Sequence, residues 1–92
     1  MFTGLVEGLG VVREMEFRGD QARLVLEIPF AAELADGDSV AVNGCCLTVT
    51  EHDQSTASFD LLRQTLQVTS LGQLGEGAVA NLERALPANG RL

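Results

Sequence analysis

The stretch Asn43-Gly44-Cys45-Cys46-Leu47-Thr48-Val49-Thr50 contains the strongest fold signal in this chain. Asparagine and glycine both tolerate the positive φ of a type I′ turn, so this pair predicts a tight hairpin. The strand before the turn is predicted at Ser39–Val42, and the strand after it at residues 45–50. The chain therefore contains at least one antiparallel strand pair, joined by two residues.

The two-residue period of a strand separates the small polar side chains of the second strand from its apolar ones. One face is expected to carry Cys46, Thr48 and Thr50, and the opposite face Cys45, Leu47 and Val49. Thiol and hydroxyl groups in a row on a rigid strand are suited to reading the polar edge of a small heterocycle. The same residues are also ordinary strand formers, so both interpretations stay open.

Composition limits both the size of the protein and its class. A chain of 92 residues makes one domain with one modest core. The formal charge of −7 disfavours nucleic acid and anionic membrane surfaces. All the basic side chains are arginines, which excludes a Schiff-base lysine and a P-loop.

Compartment and metal content are also limited by composition. No apolar run approaches the roughly 20 residues of a membrane span, and no signal-peptide pattern is present. The neighbouring Cys45 and Cys46 point to opposite faces of a strand, so a disulfide between them is not expected. Two cysteines without a histidine cluster make a poor metal site. We therefore expect a reduced, metal-free protein of the cytoplasm.

The rest of the chain consists of short β-rich runs separated by turn residues. Further strands are predicted at residues 5–17, 22–28, 57–61 and 78–84, and glycines within the first indicate a bulge or bend. Short helices are predicted at residues 30–35 and 63–70, and a glycine-punctuated loop at residues 71–77. Five or six antiparallel strands with one or two short helices, in so small a chain, predict an all-β closed barrel.

Two titratable side chains stand out by position. His52 is the only histidine and follows a strand beside Asp53; we expect it to be solvated. A role as catalytic base would need an orienting partner that the sequence does not indicate. Asp60 lies where a strand meets the helix predicted from Arg63. It is either the N-cap of that helix, worth about 1 kcal/mol, or a ligand contact, or both.

Several segments together resemble riboflavin synthase in order and spacing. They are Met1-Phe2-Thr3-Gly4-Leu5-Val6, Val42 to Thr50, Phe59-Asp60-Leu61, Gln64-Thr65-Leu66, Thr69-Ser70-Leu71-Gly72 and Asn81-Leu82-Glu83-Arg84-Ala85. That family is a tandem of two six-stranded antiparallel Greek-key barrels, each able to bind a pteridine. The resemblance covers the N-terminal barrel only, as residues 1–86, with residues 87–92 as linker or tail.

The resemblance implies a chemistry for the full two-barrel enzyme. The family dismutates two molecules of 6,7-dimethyl-8-ribityllumazine into riboflavin and a diaminopyrimidine, moving a four-carbon unit without metal or organic cofactor. The protein positions two stacked rings and assists proton transfer. Each active site lies between barrels of neighbouring subunits in a trimer. An isolated barrel is therefore expected to bind lumazine or riboflavin, to form a homodimer and to be inactive alone.

The resemblance also implies a set of site residues. Phe2, Ser39 and Cys46 match the positions nearest to the chemistry, although Phe2 is equally an anchor for the first strand. Ligand contacts fall on Gly4, Leu5, Val6, Cys46, Leu47, Thr48, Asp60, Leu61, Leu62, Arg63, Gln64 and Thr65. The first three would act through their backbone, and the helix start would offer N–H groups.

One departure and two alternatives accompany this assignment. The family usually has glutamate where this chain has Gln64, so hydrogen bonding is retained but a carboxylate base is not. The first alternative is a non-catalytic lumazine or flavin carrier, which ranks lower because this chain keeps the Cys-Leu-Thr-Val pattern. The second is an assembly barrel that binds nothing, which the polar positions on three separate segments disfavour.

Overall fold

The structure is a computed structural model, and it describes residues 8–68 and 70–84. Within these residues the chain forms six strands, one α-helix and two 3-10 helices. They are β1 (Gly8–Arg18), β2 (Gln21–Glu27), a 3-10 helix (Ala31–Glu33), β3 (Ser39–Val42), β4 (Cys45–His52), β5 (Thr56–Leu62), α1 (Arg63–Val68), a 3-10 helix (Ser70–Gln73) and β6 (Val79–Arg84). Four predicted site residues, Phe2, Gly4, Leu5 and Val6, lie outside the described residues. So do the predicted domain boundary at residue 86 and the tail at residues 87–92.

The six described strands close into an antiparallel barrel in the order β1-β2-β5-β4-β3-β6. Strands β3, β4 and β5 follow one another as neighbours. The long connection from β2 leads to β3, so that β2 itself lies beside β5, at the other side of this group. This is the Greek-key arrangement. The predicted six-stranded antiparallel barrel is confirmed, and closure gives each of the six strands a neighbour on both sides.

The hairpin between β3 and β4 has the predicted turn. Both central residues have positive φ, 49° at Asn43 and 83° at Gly44, as a type I′ turn requires. The register pairs Ser39 with Thr48 along the two strands. The Asn43 side chain also accepts a hydrogen bond from the backbone amide of Asn81, at 2.8 Å, and so fastens the turn to β6.

The core is formed by the inward side chains of all six strands. Phe59, Leu24 and Leu26 are fully buried at its centre, and each contributes about 1.5–3 kcal/mol by leaving water. On β4, Leu47 and Val49 are buried, whereas the predicted polar face, Cys46, Thr48 and Thr50, is exposed. Leu66 of α1 and Leu71 of the second 3-10 helix are buried in the same core.

The sequence had suggested that a bulge in β1 would lie at its glycines, Gly8 and Gly10, but the bulge lies elsewhere. The register with β2 shifts between Val12 and Glu14. Gly10 has a different role, because a Cβ there would lie 3.0 Å from Cδ1 of Leu82. The absence of a side chain thus lets β1 lie close to β6 rather than bending the strand.

The helical predictions are right in position and wrong in extent. The segment predicted as a helix at residues 63–70 begins with α1, which ends at Val68. The 3-10 helix Ser70–Gln73 starts at the last residue of that segment and continues into the predicted loop. The helix predicted at residues 30–35 is one 3-10 turn at Ala31–Glu33. A Cβ on Gly72 would lie 2.5 Å from the Leu66 carbonyl oxygen, so glycine permits this tight return of the chain. No helix among the described residues is long and apolar enough to cross a membrane.

Candidate functional site

The strands β4 and β5 are paired along only part of their length. Their ladder begins at Val49 opposite Phe59 and runs towards His52 and Ala57. Continued in the other direction, the register would place residues 46–48 opposite residues 60–62, but no such pairs occur among the described residues. We call these two facing segments the β4–β5 seam. Main-chain N–H and C=O groups that face the seam have no partner on the opposite strand, so they require hydrogen-bond partners of another kind.

The β4 side of the seam carries the predicted polar side chains. Cys46 and Thr48 are exposed on the outer face of the barrel. Ser39 lies directly opposite Thr48, on the same face, because cross-strand partners share a face. The structure therefore brings these three predicted site residues together.

The two cysteines of β4 differ in environment. Both are free thiols, with Cys46 exposed and Cys45 partly buried. Burial raises the pKa of the Cys45 thiol, and the neighbouring Cys46 raises it further. The expectation of no disulfide agrees with these free thiols, and only Cys46 is placed at the candidate site.

The β5 side of the seam alternates in the same way. Asp60 and Leu62 are exposed, and Leu62 has 57% of its surface accessible. Leu61 and its counterpart Leu47 on β4 have side chains buried in the core, so these two predicted contacts present no side chain to the seam. The N-cap assignment of Asp60 is wrong. It lies within β5 opposite Arg23, and the residue that precedes α1 is Leu62.

Two further predicted residues, Arg63 and Gln64, meet Leu62 at the end of the seam. An open depression of about 480 Å³ is lined by Leu62, Arg63 and Gln64, together with Asp20. This volume lies within the range of small-molecule sites. Thr65 follows on α1 and is partly buried.

Asp20 was missed because nothing in its local sequence marks it as a ligand contact. Only the pairing of β2 with β5 reveals it, since Gln21 pairs with Leu62 and so brings the β1–β2 turn beside the end of β5.

Arg63 is held in place by the β1–β2 turn. Its backbone amide donates to the Asp20 carbonyl oxygen at 2.7 Å, and its Nε donates to the Gly19 carbonyl oxygen at 2.9 Å. Its guanidinium carbon lies 5.0 Å from the centre of the Phe17 ring, a cation–π contact. The first amide of α1, which was expected to be free for a ligand, is therefore already used by Asp20.

His52 has a partner that the sequence did not indicate. Its Nδ1 lies 2.9 Å from Oδ1 of Asp36, in the turn before β3. His52 lies at the end of the β4–β5 ladder that is farther from the seam. The His52–Asp36 pair therefore does not add to the candidate site. The described residues contain no group of three His, Cys, Asp or Glu side chains that could hold a metal ion.

Comparison with known proteins identifies the family. The family model of the lumazine binding domain matches residues 3–85. The chain is 41% identical to riboflavin synthase of Bacillus subtilis (strain 168), over 99% of this chain and 43% of that protein. It is 44% identical to riboflavin synthase of Escherichia coli (strain K12), over 92% of this chain and 41% of that protein. The chain thus spans less than half the length of these relatives.

Solved structures show the same architecture with ligands bound. LumP complexed with 6,7-dimethyl-8-(1'-D-ribityl) lumazine matches with a TM-score of 0.85 and 29% identity, over 100% of this chain and 52% of that chain. LumP complexed with flavin mononucleotide matches with a TM-score of 0.85 and 31% identity, over 100% of this chain and 53% of that chain. Together with the family model, these matches show that the chain belongs to the lumazine-binding domain family.

Proposed function

We propose that this barrel binds 6,7-dimethyl-8-ribityllumazine or riboflavin at the β4–β5 seam, as the N-terminal half of a riboflavin synthase. The observation that carries the proposal is the seam itself. It aligns the main-chain groups of two diverging strands beside Cys46, Thr48 and Asp60. Family membership and identity of 41% and 44% to two riboflavin synthases support this assignment.

The seam is suited to the polar edge of a pteridine ring. The pyrimidinedione edge of lumazine and of flavin alternates carbonyl acceptors with a ring N–H, much as a strand edge does. Main-chain groups of β4 and β5 that have no ladder partner can form hydrogen bonds with that edge instead of with the facing strand. The depression beside Leu62 and Gln64 then accommodates the ribityl chain, whose hydroxyls match the Gln64 amide.

In the proposed reaction, one barrel holds one of the two lumazines. The chain orients the ring and excludes water from one of its faces, and the second ring must come from another barrel. We expect Cys46 and Thr48 of the seam, with Ser39 of β3 beside Thr48, to lie nearest to the ring, whereas Gln64 cannot act as a carboxylate base. We propose that the substrate itself is the electron sink, so that neither metal nor organic cofactor takes part. Because the chain spans less than half of its synthase relatives, we expect little turnover from it alone.

A non-catalytic lumazine or flavin carrier is the second candidate. It is favoured by the match to LumP, with TM-scores of 0.85 for the lumazine and flavin mononucleotide complexes. Carrier and synthase half share the same ring site and differ in turnover.

We further propose that the isolated barrel forms homodimers and acts in the cytoplasm without nucleic acid or membrane partners. A trimer would form if the chain is part of a full-length enzyme. The charge of −7 disfavours nucleic acid and anionic membrane partners, and the two free cysteines support a reducing compartment.

Titration of riboflavin and of the lumazine with the purified chain, followed by ligand fluorescence, tests the binding proposal. Thr48→Val should weaken binding by about 1 kcal/mol, a factor of about five in Kd, because one hydrogen bond is lost. Thr50→Val is the matched control on the same strand, since the Thr50 hydroxyl donates to the Ser58 carbonyl beyond the seam. Lack of quenching at high micromolar protein would refute binding. Lumazine-dependent riboflavin formation by the chain alone would exclude the carrier, and it would also contradict the expectation of little turnover.

A further inference from the structure

We infer that Asp20 is a specificity-determining residue, which selects a ligand with a neutral polyol chain against one that ends in a phosphate. The inference rests on the proposed function, because it concerns the side chain of the same ring-bound ligand. It assigns a role to a residue that neither the sequence motifs nor the family resemblance indicated. The basis is the charge balance of the depression at the end of the seam.

The position of Asp20 relative to Arg63 is fixed by the backbone. Gly19 has a φ of 58°, which turns the chain sharply between β1 and β2. The carbonyl groups of Gly19 and Asp20 both accept hydrogen bonds from Arg63, at 2.9 Å and 2.7 Å. Asp20 and Arg63 consequently line the same depression.

Arg18, Arg23 and Arg63 differ in the groups that neutralise their charge. Arg18 pairs with Glu16, and Arg23 pairs with Glu51 at 2.9 Å. The contacts described for Arg63 are instead with neutral groups, a backbone carbonyl and the Phe17 ring. Asp20 is the carboxylate that shares the depression with this guanidinium, so the pair together makes the wall electrically neutral.

A neutral wall distinguishes riboflavin from flavin mononucleotide, which differ only at the end of the ribityl chain. Riboflavin ends in a hydroxyl, which can donate a hydrogen bond to the Asp20 carboxylate. Flavin mononucleotide carries a phosphate monoester in its place, with about −1.5 to −2 charges at neutral pH. The carboxylate repels that group and offsets its attraction to Arg63. Removal of the Asp20 charge should therefore favour the phosphate ester.

The test compares the two flavins on the full 92-residue chain at low ionic strength. Fluorescence titration gives the ratio of the flavin mononucleotide Kd to the riboflavin Kd for wild type, Asp20→Asn and Asp53→Asn. Asp53 is the matched control, in the turn at the opposite end of β5. Its carboxylate accepts hydrogen bonds from the amides of Ser55 and Thr56 at 2.8 and 2.7 Å, and asparagine keeps an acceptor there.

We expect Asp20→Asn to lower the Kd ratio by about fivefold, because one charge near the phosphate is removed. Asp53→Asn should leave the ratio unchanged. An unchanged ratio in Asp20→Asn, or an equal fall in Asp53→Asn, overturns the role of Asp20 while riboflavin binding stands. Failure of every variant and of wild type to bind riboflavin overturns the proposed function itself, and the inference with it.

Discussion

Replacement of Gly72 by alanine should destabilise the barrel strongly, although it adds one methyl group. A Cβ at this position would lie 2.5 Å from the Leu66 carbonyl oxygen and 3.3 Å from its carbonyl carbon. Ordinary van der Waals contact begins at 3.4 Å, so the backbone must move by most of an ångström. The obstacle is main chain at the end of α1, which cannot rotate away as a side chain can.

The expected cost follows from this geometry. Overpacking of a well-packed site costs about 1–3 kcal/mol, and a backbone obstacle places Gly72→Ala near the upper end. For a domain of this size, 2–3 kcal/mol lowers Tm by roughly 10–20 °C. The displaced helix also carries Arg63 and Gln64, so riboflavin affinity should fall together with stability.

Thermal unfolding followed by circular dichroism provides the assay, with Gly75→Ala as the matched control. Gly75 lies three residues away, its φ is not in the left-handed region, and a Cβ there would have nothing within 4 Å. Gly75→Ala should leave stability unchanged or raise it by up to about 1 kcal/mol. Equal Tm values for the two variants would show that the contact between residues 66 and 72 does not constrain the fold.

Other predictions concern the core, the acid limit of stability and the thiols. Leu61→Ala should cost about 2–5 kcal/mol by opening a cavity, whereas Leu62→Ala should stay within about 0.5 kcal/mol and weaken riboflavin binding; denaturant unfolding and titration check both. Amide hydrogen bonds in the β4–β5 turn hold the pKa of Asp53 below its usual range. The stability that this carboxylate contributes is present above about pH 4 and is lost as pH falls through its folded pKa, so Asp53→Asn should show a weaker pH dependence of unfolding there. Alkylation with mass spectrometry should label Cys46 before Cys45, and riboflavin should slow the labelling of Cys46; faster labelling of Cys45 would contradict the assigned exposures.

Local chemistry was sufficient to predict the barrel and its hairpins. Asn43-Gly44 specifies its turn because few residues accept positive φ at both positions. The alternation of Leu24 and Leu26 with polar neighbours specifies the inner face of β2. These features depend on neighbours in sequence, so they are visible in a single chain.

The candidate site was predictable only in part, because it depends on contacts between distant segments. The seam arises where β4 and β5 diverge after Val49 and Phe59, and no local pattern marks that point. Asp60 resembles an N-cap in sequence, but pairing with β2 extends β5 past it to Leu62. The contacts of Asp20 with Arg63 and of Asp36 with His52 likewise join residues far apart in the chain.

Amide chemical-shift mapping by NMR tests the central claim most directly. The ¹⁵N-labelled chain is titrated with 6,7-dimethyl-8-ribityllumazine, and shift changes are assigned residue by residue. The account predicts that the largest changes fall on residues 46–48 of β4 and 60–64 at the end of β5. Changes centred instead on the separate groove lined by Leu9, Val11 and Pro29, with the seam unaffected, would contradict it.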